Sequence, residues 1–167
     1  AKATELNRAY TEHLATHADV IPGAEEALQE LAEVATMIAV SNGTESVERG
    51  RLKLSGFEKY FDDIFISETV GVSKPNPKIF QMAMRKLGIE HSDKVLVVGD
   101  SLSADIQGGV NAGLDTCWVN MNGLENESGL TPTYEVKALC ELYPIVMEED
   151  ELQNVGLKNR KHQNDAM

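Results

Sequence analysis

Val95-Leu96-Val97-Val98 is apolar at every position and stops abruptly at Gly99-Asp100. A strand without alternation must be covered on both faces, which is the pattern of a parallel sheet flanked by helices. Other runs repeat the design. Met37-Ile38-Ala39-Val40 ends in Ser41-Asn42-Gly43, Ile64-Phe65-Ile66 is a shorter strand, and Thr116-Cys117-Trp118-Val119 is a further one. Thr133-Tyr134-Glu135-Val136 reads as a last, edge strand before a short helix through Leu139 and Leu142.

Helical patterns fill the intervals. Ala3 to His17 can be capped by Thr4 and places Leu6, Tyr10 and Leu14 on one face, until Ile21-Pro22-Gly23 interrupts it. Ala24, Ala27, Leu28 and Leu31 line the inner face of a second helix. Thr44 can start the next, with Gly56 placed to stop it. Asn76 as cap and Pro77 at the first position open a helix whose inner face is Ile79, Phe80, Ala83, Met84 and Leu87, closed by Gly88. Another runs from about Ser103 to Ala112 and stops at Gly113. Strands alternating with helices predict an α/β fold with right-handed crossovers and helices on both faces.

Composition excludes several classes. The 167 residues carry 15 Lys plus Arg against 27 Asp plus Glu, a net charge of −12. Such a chain repels phosphate backbones at long range, so a nucleic-acid polymer is a poor partner, whereas a small anion held by local cations and amides is not excluded. The apolar runs are too short to span a membrane, and no basic-then-apolar leader is visible. Cys117 and Cys140 form neither a CxxC nor a Cys/His ligand set and are expected as reduced, half-buried apolar residues, which suits a cytoplasmic location. His13, His17, His91 and His162 have no partner at ligand spacing and are expected at the surface.

In sheets of this kind ligands bind beyond the carboxyl ends of the strands. Those ends carry Ser41-Asn42-Gly43, then Lys74 in a loop, then Gly99-Asp100. A hydroxyl, an ammonium and a carboxylate there suit a phosphoryl group and a magnesium ion. Ser41 can donate to a phosphoryl oxygen, as can the backbone amides of Asn42 and Gly43 ahead of a helix. Lys74 can neutralise charge on a transferring group and steady a carboxylate nucleophile. Asp100 is a hard oxygen ligand of the kind Mg²⁺ takes, and Asp105 can orient that shell. Taken singly these are a turn serine, a loop lysine, a strand-end acid and a first-turn acid. Their coincidence on three strand ends carries the reading.

Ile38-Ala39-Val40-Ser41-Asn42-Gly43, Gly71-Val72-Ser73-Lys74-Pro75-Asn76-Pro77 and Val98-Gly99-Asp100-Ser101-Leu102-Ser103-Ala104-Asp105 resemble motifs II, III and IV of the haloacid dehalogenase-like (HAD) hydrolases. Asp105-Ile106-Gln107-Gly108-Gly109, continuing through Asn111-Ala112-Gly113-Leu114-Asp115-Thr116-Cys117-Trp118, is similar to a narrower branch, the pyrimidine 5′-nucleotidase-like phosphatases of non-canonical nucleotides. The likeness covers about residues 20 to 145. It implies a Rossmann-like parallel sheet and a Mg²⁺-dependent phosphomonoesterase that works through an aspartyl-phosphate on a small substrate, a nucleoside 5′-monophosphate. In that scheme Ser41, the Asn42 and Gly43 amides and Lys74 hold the phosphoryl group, and Ser41 and Lys74 are the catalytic residues present. Asp100 ligates Mg²⁺ with Asp105 in support.

The resemblance also implies a first motif, an apolar strand ending Asp-x-Asp-x-Thr, and the sequence contains none. In the family that strand is central, between the strands ending at Ser41 and at Asp100, and its first Asp is the nucleophile. The expectation is therefore an incomplete core over 20–150, one terminal helix of a helical cap over 1–19, a polar tail over 151–167, and no activity in the chain alone. Ile145-Val146-Met147 before Glu148-Glu149-Asp150 does not replace the motif, because the spacing is wrong and no Thr follows. A non-catalytic phosphate- or Mg²⁺-binding or interaction module is the alternative. A receiver-like signalling domain is disfavoured, since its groups run acid pair, phosphorylated Asp, Ser/Thr, Lys, against Ser41, Lys74, Asp100 here.

Overall fold

The computed structural model describes residues 19–90 and 95–148. The expected cap helix, the polar tail and all four histidines lie outside the described residues. Helix α1 is Ala24–Val34 and buries Ala24 and Ala27. Strand β1 (Ile38–Ser41) follows, then α2 (Glu45–Ser55), a 3₁₀ turn Phe57–Tyr60, β2 (Asp63–Ile66) and the single-turn α3 (Ser67–Val70). Helix α4 is Lys78–Lys86, and β3 is Leu96–Gly99. A π-helical turn Leu102–Ile106 runs into α5 (Gln107–Ala112), followed by β4 (Asp115–Val119) and β5 (Tyr134–Val136). A 3₁₀ turn Leu139–Glu141 leads into helix over 142–148.

The helix stops sit where the sequence put them. Gly56 at φ 72° and Gly113 at φ 71° take the left-handed conformation that closes α2 and α5, which an L side chain rarely adopts. The start of α4 is also local, since Asn76 Oδ1 accepts the Lys78 N–H at 3.0 Å. Helix α2 starts after Thr44 as expected, but the bond at its start comes from elsewhere. Thr44 makes no side-chain cap bond, and Glu68 from α3 accepts the Glu45 N–H at 2.7 Å instead.

All observed pairing is parallel. β1 lies beside β2 with Ile38 opposite Asp63 and Ser41 opposite Ile66. β3 lies beside β4, and β4 beside β5. The described strands thus form two sheets, β1-β2 and β3-β4-β5, and no ladder joins β1 to β3. Helix α4 ties the two together. Its Ile79, Phe80 and Ala83 share one buried cluster with Phe65 of β2, Val97 of β3 and Leu114. Full burial of a side chain such as Ile79 stabilises the fold by about 1.5–3 kcal/mol relative to exposure. A second cluster, Cys117, Val119, Val136 and Leu142, packs β4 and β5 against the closing helix.

Two burial expectations change. Val98, apolar and expected to be covered, is 43% exposed, because β3 pairs on one side only and nothing described covers that face. The two thiols are not alike: Cys117 is buried and Cys140 exposed, and both are free. Cys117 lies in central β4, whereas Cys140 lies in the surface 3₁₀ turn.

Candidate active site

Ser41, Gly99-Asp100 and the Lys74 loop all lie at carboxyl ends of parallel strands, as the alternation of elements requires. Ser41 Oγ accepts the Gly43 N–H at 3.0 Å, which leaves its hydroxyl proton free to donate. The turn is held from β2's side: Ser67 Oγ reaches the Gly43 carbonyl at 3.4 Å while Glu68 caps α2. The Thr69 hydroxyl, and next the Arg49 guanidinium, hold the Glu45 carboxyl below its ordinary range. The Gly43 amide, expected to face a phosphoryl group, is therefore engaged within its own turn.

Lys74 is the hub. Its Nζ donates to the Val40 carbonyl at 2.7 Å and to Asp105 Oδ1 at 2.6 Å. The two side chains are only 12% and 10% exposed. An ammonium has three donors, so one N–H remains for a further acceptor. The backbone of the same residue is gripped by the Asn42 side chain. Asn42 Nδ2 donates to the Lys74 carbonyl at 2.9 Å, and the Lys74 N–H donates to Asn42 Oδ1 at 2.8 Å.

Asp105 is placed by the π-helical turn. The Ile106 N–H reaches back five residues to the Ser101 carbonyl at 3.1 Å, and the widened turn lays the Asp105 carboxylate over Gly99. A Cβ at Gly99 would lie 2.2 Å from Asp105 Oδ2, so only glycine leaves that room. Oδ2 accepts the Ser101 N–H at 3.0 Å. Both oxygens thus have protein donors, and Asp105 is fixed as the partner of Lys74 and of the motif loop.

Asp100 is the opposite case. It is exposed, and its carboxylate has no hydrogen bond or ion pair among the described residues. Its carbonyl accepts the Trp118 indole N–H at 3.0 Å, which anchors the loop to buried Trp118 of β4. Among the described residues no three His, Cys, Asp or Glu side chains gather into a ligand set. Mg²⁺ commonly takes one or two carboxylates and completes its shell with water and phosphate oxygens. The open Asp100 carboxylate fits that chemistry, with Asp105 five residues further on tied to Lys74 and Ser101.

Every residue expected at the site therefore belongs to one connected region: Ser41-Asn42-Gly43, Lys74, and Asp100 through Asp105. The sequence did not disclose the Val40 carbonyl, the Asn42 side chain or the Trp118 anchor. A main-chain acceptor carries no sequence signal, and the other two act across more than a dozen residues of chain.

Residues 1–119 match the haloacid dehalogenase-like hydrolase family. The chain belongs to that family. It is 41% identical over 142 residues to pyrimidine 5′-nucleotidase YjjG of Escherichia coli, covering 85% of this chain and 63% of the relative. It is 38% identical over 138 residues to pyrimidine 5′-nucleotidase PynA of Streptococcus pneumoniae, covering 82% and 58%. Among solved structures, the magnesium-bound HAD-hydrolase YfnB of Bacillus subtilis superposes with a TM-score of 0.83 at 36% identity, covering 87% of this chain and 64% of that one. The chain thus spans less than two thirds of the length of each of these relatives. No helix among the described residues is long and apolar enough to cross a membrane.

Proposed function

We propose that these residues form the phosphate- and metal-binding part of a Mg²⁺-dependent phosphomonoesterase acting on nucleoside 5′-monophosphates. The observation that carries the proposal is Lys74, whose ammonium is fixed between the Val40 carbonyl of β1 and the Asp105 carboxylate after β3, with a donor to spare. Ser41 holds the phosphoryl group by its hydroxyl, and the Asn42 amide assists. The remaining Lys74 N–H faces the charge that builds on the transferring oxygens. Asp100 is the residue that would hold Mg²⁺, with Asp105 in support through its bonds to Lys74 and Ser101. When bound, the ion supplies positive charge to the phosphoryl oxygens.

The scheme needs a nucleophilic carboxylate and an acid for the leaving alcohol, and the 167 residues contain no Asp-x-Asp-x-Thr strand. Both would have to come from a segment that these 167 residues do not contain, so we expect the chain alone to be inactive. The nucleotide class is supported by the likeness to YjjG and PynA, both pyrimidine 5′-nucleotidases. Two cysteines with no disulfide support a reducing, cytoplasmic setting.

The test is phosphate release from pyrimidine and purine nucleoside monophosphates and from sugar phosphates. It compares the 167-residue chain with the protein carrying its natural upstream sequence. The longer protein should turn over pyrimidine monophosphates with Mg²⁺ and stop with EDTA. In it, Lys74→Met and Asp100→Asn should each lower kcat by roughly 10²–10³-fold, the range for removing one charge-stabilising group. No hydrolysis of any ester, or an Asp100→Asn variant as active as the parent, overturns the proposal.

A further inference from the structure

Nothing in the scheme above uses Gln107 or Asn111, although they lie in the segment that most resembles the narrower branch. In the structure Gln107 Nε2 donates to Asn111 Oδ1 at 2.8 Å, one turn apart on α5. Asn111 Nδ2 in turn donates to the Pro75 carbonyl at 3.0 Å. The carbonyl one residue earlier, that of Lys74, accepts from Asn42. Two consecutive carbonyls are thus gripped by amides from different elements, Asn42 at the end of β1 and Asn111 on α5.

We infer that Asn111, oriented by Gln107, is a positioning residue for the Lys74 ammonium. Rigid placement matters here because Lys74 must satisfy two acceptors at once, the Val40 carbonyl and Asp105, each on a separate element. Its flexible four-carbon stem does not enforce that geometry. Pro75 offers no N–H, so the loop beyond Lys74 is held through a carbonyl. Asn42 grips one side of the loop and Asn111 the other. Gly108, between the two α5 amides, permits the approach: a Cβ there would lie 3.3 Å from Pro75 Cα and 2.8 Å from Phe80 Cε2. The Gln107 bond fixes which way the Asn111 amide points, leaving Nδ2 for Pro75.

This inference rests on the proposed phosphatase reading, and its test separates the two. Asn111 is exposed, so its variants are expected to fold. In the protein with its natural upstream sequence, Asn111→Ala and Asn111→Asp should lower kcat about tenfold with KM within about twofold, since small misplacements of a catalytic group act on the transition state. Gln107→Ala should follow in the same direction by about threefold. In a Lys74→Ala background Asn111→Ala should have no further effect, because its action passes through Lys74. A crystal structure of Asn111→Ala should show Lys74 Nζ beyond hydrogen-bond distance of the Val40 oxygen. An unchanged kcat, a lowered melting temperature alone, or an equal loss in the Lys74→Ala background overturns the inference. If the parent protein hydrolyses no phosphomonoester, the proposed function fails by itself. The Nζ–Val40 distance then judges the brace, and an unmoved ammonium overturns it.

Discussion

At the residue scale the most constrained feature is the Lys74–Asp105 pair. Removing one member of a buried pair leaves an uncompensated charge, at a cost of about 3–5 kcal/mol, whereas replacing both by apolar groups is often close to neutral. Asp105→Ala should therefore lower the urea midpoint sharply, and Lys74→Met combined with Asp105→Leu should recover most of that loss without activity. Additive losses would show that the pair is not coupled. Cys117 gives a second residue-scale prediction. Burial, and next the nearby Glu141 charge, push its thiol up from 9.0 to about 11. Its neutral form is favoured by folding, so this contribution is complete below pH 9.0 and is lost as pH rises toward about 11. At pH 8 a thiol reagent should label Cys140 alone, and Cys117 only after denaturant. Rapid labelling of both in the native state would contradict the burial. Neither thiol's exposure was legible in sequence, because both sit among apolar residues and only the packing of β4 separates them.

At the level of elements, two glycines matter by lacking a side chain, Gly109 where α5 packs on the sheet and Gly99 beneath the Asp105 carboxylate. A Cβ on Gly109 would lie 2.5 Å from Thr116 Cγ2 and 3.2 Å from Val97 Cβ, both on paired strands that cannot withdraw. Gly109→Ala should destabilise by about 1–3 kcal/mol, the usual cost of overpacking. Gly99→Ala acts elsewhere, on the Asp105 carboxylate, which the added Cβ would overlap. It should break the bonds to Ser101 and Lys74, and so reduce turnover far more than Gly109→Ala does. Equal turnover in the two variants would refute the distinction. Helix starts show how far local reading reaches. Asn76 caps α4 two residues along the chain, as its type suggests. The cap of α2 comes from Glu68, 23 residues away, so inspection of Thr44 could not find it. The π-helical turn was equally hidden, since a single widened turn of five residues is too short to leave a periodic signal.

For the whole molecule, the arrangement of strands predicts unequal protection. Among the described residues β4 is paired on both sides, whereas β1 and β3 each have one neighbouring strand. In the 167-residue chain, amide exchange should be slowest in β4 and faster in β1 and β3, because opening follows the least supported elements. Adding the natural upstream sequence should slow exchange in β3 and cover Val98, which is 43% exposed. Equal protection of β1, β3 and β4 in the shorter chain, or no change on extension, would count against a strand joining the two sheets. The exposed apolar edge also predicts that the shorter chain self-associates more readily.

The sequence by itself determined the order of strands and helices, the parallel α/β class, most helix ends, and the chemical groups at three strand ends. Those follow from periodicity and turn chemistry, which act over a few neighbouring residues. Only the tertiary structure decided how the groups are used. Lys74 finds Val40 and Asp105 at separations of 34 and 31 residues, and Asn42 finds Lys74 at 32. Packing of α4 across both sheets sets those meetings. Asp105 is tied to Lys74 and Ser101 while Asp100 stands open, because one carboxylate folds back over Gly99 and the other points outward at the end of β3. Such divisions of labour between similar side chains are fixed by contacts distant in the chain, on which local sequence is silent.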